Sequence, residues 1–113
     1  MLPIEINKSN YKEYIHNDEL YMHDGHVITI EYNRDDSNLK MIIEKYSKEK
    51  IQLTFTNLKN IHIDEGENNI IDFKYRILDF YLDETNNDLN FCFLIFNMMT
   101  IRIYSESVTI ENI

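Results

Sequence analysis

Imidazoles and carboxylates crowd one short region of this chain: His16, Asp18, His23, Asp24 and His26. Neutral imidazole and carboxylate are competent ligands for zinc, nickel or iron, provided three or four converge on one ion. Their spacing matches no metal motif, since the sequence has neither HExxH nor paired CxxC. Across a turn that runs into a strand, His23 and His26 do not share a face. The His23-Asp24 dipeptide is also found in helical HD phosphohydrolases, which need further His and Asp on other helices, a frame this sequence lacks. Asp24-Gly25 is instead a turn pair: glycine supplies a positive φ, and aspartate bonds local backbone amides. No metal site is expected, and Asp24 and Gly25 are assigned to a structural turn.

Other reactive arrangements are also missing. There is no GxSxG and no glycine-rich phosphate cradle, and the whole chain has 2 glycines. The single cysteine, Cys92, lies in the apolar run "FCFLIF". There a thiol is a small hydrophobe whose reactivity falls as burial raises its pKa. The carboxylate pairs Asp35/Asp36 and Asp83/Glu84 fall in turn-like stretches, where they are solvated rather than poised for proton transfer. The sequence therefore predicts a protein that is not an enzyme and needs no cofactor.

The elements that carry these residues follow from composition and period. At 113 residues the chain is expected to form one domain, 1–113. Alanine is absent, while isoleucine, tyrosine and phenylalanine are plentiful, which favours pleated, half-buried surface over helix. Near the start, Asn10 and Glu13 have capping-box spacing, with Tyr11, Tyr14 and Ile15 on one face, predicting a short helix near 10–17. Leu2, Ile4 and Ile6 alternate ahead of it as a short edge strand. From residue 26 the period is two: "HVITIEYNR", "LKMIIEKY" and "IQLTFT" are strands separated by "DDSN" and "SKEK" turns, with Ile51, Leu53 and Phe55 pointing inward. "FCFLIF" is apolar on both faces, as in a strand covered on both sides. The alternation through Ile71, Phe73, Tyr75 and Ile77 shifts phase toward Phe80 and Leu82, which implies a bulge or bend.

The pattern repeats. A shift of 50 residues aligns 26–63 with 76–113 without a gap: Val27 meets Ile77, Leu39 meets Leu89, Met41 and Ile43 meet Phe91 and Phe93, and Leu53 meets Ile103. The predicted fold is mainly β. Two β-meanders, 26–63 and 76–113, form a sandwich or barrel-like sheet, with a short N-terminal helix.

Charge narrows the partners. The net charge is −9, and residues 61–90 hold most of the surplus: Asp64, Glu65, Glu67, Asp72, Asp79, Asp83, Glu84 and Asp88 against Lys74 and Arg76. Such a chain is repelled by phosphate backbones, so direct nucleic-acid binding is not expected. Those eight acids are the candidate surface for a basic protein partner. With neither a signal-type N-terminus nor a membrane-length apolar run, a cytoplasmic protein without membrane contact is expected. The closing "VTIENI" would be an exposed edge through which a homodimer could form.

The layout also resembles a family. A Leu20-His23-Asp24-Val27 strand start ("L-x-x-HD-x-x-[VI]"), an "[IV]-x-[LI]-x-F-x-x-[LV]" strand and a closing "I-x-I-x-x-x-x-V-x-I-E-x-I" are similar to those of small β-rich bacterial immunity proteins of polymorphic toxins, the immunity protein 50-like type. The likeness spans residues 15–113, with Gly25 standing where a small polar residue or alanine is more usual. It implies a protein that binds and neutralises a cognate toxin. The alternative from a different class is a structural, phage-associated or small-ligand-binding β-domain.

Overall fold

The computed structural model describes residues 3–14, 21–64, 76–85, 88–95 and 99–113. Among them are seven strands: β1 (Ile4–Asn7), β2 (His26–Asn33), β3 (Asn38–Glu44), β4 (Lys50–Asp64), β5 (Ile77–Glu84), β6 (Leu89–Ile95) and β7 (Met99–Asn112). They form a single antiparallel open sheet in the order β2-β3-β4-β7-β6-β5, with β1 added along β7. The mainly β expectation therefore holds, but the two meanders are not two facing sheets. β4 and β7 alternate over most of their length, so each offers a long edge, and they pair from Ile51↔Asn112 to Asp64↔Thr100. That ladder joins the meanders side by side.

The repeat is visible in the pairing. Phe55↔Val108 and Leu58↔Ser105 exchange places under the 50-residue shift, which puts an approximate two-fold axis through the middle of the β4–β7 ladder. Both outer hairpins carry a bulge at the same repeat position, Ile28 in β2 and Leu78 in β5.

One apolar cluster fills the inner face. Leu39, Met41, Ile43, Ile51, Leu53 and Phe55 from the first half meet Leu89, Phe91, Phe93, Ile101 and Ile103 from the second, all buried. Each contributes about 1.5–3 kcal/mol by leaving water. The Phe55 and Phe91 rings touch edge to face across 5.0 Å, and Phe80 packs on Phe93 at 4.9 Å.

Two expectations are corrected. No α-helix forms among the described residues: the predicted helix is a single 3-10 turn, Tyr11–Glu13. Asn10 cannot cap it, because its Oδ1 accepts the Asn7 amide and its Nδ2 donates to the Glu5 carbonyl, both on β1. Residues 15–17 of that prediction lie outside the described residues, as do Ile71, Phe73 and Tyr75 of the phase-shifted stretch. The closing strand is also not an edge. β7 is flanked by β4 on one side, and by β6 and then β1 on the other.

Candidate interaction face

The corner formed by residues 22–26 works through backbone. Asp24 N–H donates to the Ile77 carbonyl at 2.8 Å, and Ile77 N–H returns a bond to the Gly25 carbonyl at 2.7 Å. His26 bridges Arg76, and His23 Nδ1–H donates to the Leu78 carbonyl at 2.6 Å. These bonds tie the start of β2 to the start of β5 at this corner. The left-handed backbone belongs to Asp24, with φ 64°, and not to Gly25. Gly25 is needed for space: a Cβ there would stand 2.9 Å from the Glu44 carbonyl oxygen and 3.1 Å from that of Met22. The Asp24 carboxylate lies 3.8 Å from Arg76 Nε and 3.5 Å from His23 Nε2. Among the described residues no three His, Cys, Asp or Glu gather to hold a metal ion, and His16 and Asp18 lie outside them.

A second grouping emerges from the register of four neighbouring strands. Side chains that alternate with the buried Ile101 and Ile103 point away from the core. On that outer face, His62, Arg102, Cys92 and Tyr81 stand in one row across β4, β7, β6 and β5. Asp64, Thr100, Leu94 and Asp79 form the row on one side of it, and Asn60, Tyr104, Asn90 and Asp83 the row on the other. Asp64, Asp79 and Asp83 thus occupy three corners of one exposed patch, with Tyr81 at its margin and Arg102 near its centre.

Local bonds set the chemistry of this patch. Tyr81 Oη donates to Asp79 Oδ2 at 2.9 Å; that bond, and then the carboxylate charge, raises the phenol above its ordinary pKa. Arg102 is raised above its ordinary pKa, chiefly by Cys92 beside it in the row. Beside Arg102, a depression of about 400 Å³ is lined by Lys59, Asn60, His62, Asp88 and Tyr104. Lys59 Nζ stands 3.6 Å from Glu106. Among the described residues, neither Asp88 Oδ1 nor Asn90 Oδ1, both buried, has a hydrogen-bond partner. A buried acceptor left in that state costs about 1–3 kcal/mol.

The eight acids of the 61–90 segment therefore divide. Asp64, Asp79 and Asp83 share the outer face, and Asp88 borders it from the β5–β6 turn. Glu84 falls elsewhere, 3.9 Å from Lys8 and beside the buried Tyr11, whose phenol is raised by burial and then by the Glu84 carboxylate. Glu65, Glu67 and Asp72 lie outside the described residues. His62, Arg102 and Tyr104 were not singled out from sequence. Alternation marks them as outward-facing, but only the register shows that they adjoin the acids.

No protein-family model matches the sequence, and no curated protein matches it. Among solved structures, an uncharacterized protein from Neisseria gonorrhoeae has a similar fold, with a TM-score of 0.63 over 100% of both chains at 12% identity. At that identity the likeness speaks to the fold alone.

Proposed function

We propose that this chain is a non-enzymatic binding protein that engages a basic protein partner through the outer face of β4, β7, β6 and β5, acting as the immunity protein of a toxin. The observation that carries the reading is the register that sets Asp64, Asp79 and Asp83 at the corners of one exposed patch. Carboxylates so placed steer a cationic surface into contact and fix its orientation. Tyr81 and Tyr104 supply the rigid amphipathic area that binding surfaces favour. The family resemblance points the same way. Toxin domains that cut nucleic acid present basic clefts, which an acidic protein can reach quickly and cover.

The test is co-expression with any toxin domain encoded beside this gene. Rescue of growth, a complex that co-elutes on a sizing column, and slower association for Asp79→Lys with Asp83→Lys support the reading. Unprotected cells, or protection without a complex, refute it.

A further inference from the structure

We propose that Asp79 and Asp83 close the free edge of β5 to strand addition, and so keep copies of this chain from joining edge to edge. Two backbone amides carry this role, whether or not the proposed partner binds. β2 and β5 are the end strands of the sheet path, and among the described residues no strand flanks β5 on the side away from β6. Such an edge offers unpaired N–H and C=O groups as a template for another chain. Joining β2 of one copy to β5 of the next would be a head-to-tail contact, which grows into a filament wherever its rotation does not close a ring.

The phase of the β5–β6 hairpin shows which amides are at stake. Thr85 N–H donates to the Asp88 carbonyl at 2.9 Å. Bonded and non-bonded pairs alternate from there, so Asp83↔Asn90 and Tyr81↔Cys92 are bonded, and Phe80, Leu82 and Glu84 turn their N–H and C=O outward. Two of those three amides are already taken. Phe80 N–H donates to Asp79 Oδ1 at 2.8 Å, and Glu84 N–H to Asp83 Oδ1 at 2.7 Å. The other oxygen of Asp79 accepts the Tyr81 hydroxyl at 2.9 Å, which holds that carboxylate in place. An incoming strand must break both caps and then lay its own carbonyls beside two carboxylates, acceptor against acceptor. The counterparts of these acids on β2, 50 residues earlier, are Thr29 and Asn33. Asn33 Oδ1 instead accepts the amides of Asp35 at 3.1 Å and Asp36 at 3.3 Å in its own turn, so the guard belongs to β5.

The experiment has two arms, both on the full chain. Amide hydrogen exchange of the parent, corrected for sequence, should find Phe80 and Glu84 slower than Leu82 by about tenfold, the factor given by a hydrogen bond to a charged group. Multi-angle light scattering should find that Asp79→Ala with Asp83→Ala, which has no caps, forms larger species as concentration rises. Asp79→Asn with Asp83→Asn keeps an acceptor at each position while losing both charges, so it should stay at the parent's mass. Exchange at Phe80 and Glu84 as fast as at Leu82 overturns the caps. An alanine variant that keeps the parent's mass overturns the guard. So does an asparagine variant that associates as strongly as the alanine one, because charge and not capping would then keep the edge closed. The exchange arm needs no variant, so it stands even if a substitution disturbs folding.

Discussion

Asp24 and Gly25 divide the work of the corner in an unexpected way: aspartate adopts the left-handed backbone at φ 64°, and glycine makes room. The atoms that crowd position 25 are the backbone oxygens of Glu44 and Met22, and they have little freedom to retreat. Gly25→Ala must push β3 away from the corner, which costs about 1–3 kcal/mol as overpacking. In a chain of 113 residues that lowers the melting temperature by several degrees. Asp24→Gly is the informative companion. It relieves the left-handed strain while losing the Arg76 pair at 3.8 Å, an exposed contact worth about 0–1 kcal/mol. Thermal melts should therefore place Gly25→Ala well below the parent and Asp24→Gly close to it. The reverse order would mean that the carboxylate, and not the space, holds the corner. The dipeptide was legible as a turn, but the assignment of roles was not, because it depends on a strand lying elsewhere in the sequence.

Within single elements the sequence is informative where alternation is clean, as in Ile51, Leu53 and Phe55 of β4, all buried. It is less so where both phases are apolar. The bulge at Leu78 announces itself as a shift from Ile77 to Phe80, whereas the bulge at Ile28 is masked by Val27, Ile28 and Ile30 in succession. The expected helix failed because its cap, Asn10, is spent on the backbone of β1. Neighbour relations were not legible at all, and the outer patch is made of neighbour relations. β1 shows why they matter. It is only Ile4–Asn7, yet Ile4 and Ile6 are buried and cover the β7 edge from Ser107 to Ile110. Removing residues 1–8 takes away both isoleucines and bares backbone beside Val108 and Ile110, a template for pairing with another chain. The truncated protein should melt lower and, by multi-angle light scattering, show larger species with rising concentration than the full chain does. Identical mass profiles would mean that this edge is protected by something other than β1.

For the whole molecule, two similar meanders about the β4–β7 ladder produce a symmetric scaffold with an asymmetric charge, since residues 61–90 supply most of the net −9. Two electrostatic effects then oppose each other. Exposed pairs such as Lys59–Glu106 at 3.6 Å and Lys8–Glu84 at 3.9 Å favour the fold and are weakened by salt. Each contributes about 0–1 kcal/mol at most. Repulsion among the surplus carboxylates opposes the fold and is also weakened by salt. The decisive quantity is range. The molecule measures 38 × 28 × 24 Å. The screening length is about 30 Å at 0.01 M salt but only about 10 Å at 0.1 M. In dilute buffer nearly every carboxylate therefore repels every other, whereas at 0.1 M only neighbours do. Short ion pairs lie well inside both lengths and change far less. Repulsion thus dominates the salt response, and the melting temperature should rise between 0.01 M and 0.15 M sodium chloride, by about 4–8 °C for each kcal/mol of repulsion relieved. Asp79→Asn with Asp83→Asn should flatten that rise by removing two charges from the crowded face. A melting temperature that falls with salt would show instead that the ion pairs govern, and that the acids of the outer patch do not act on one another.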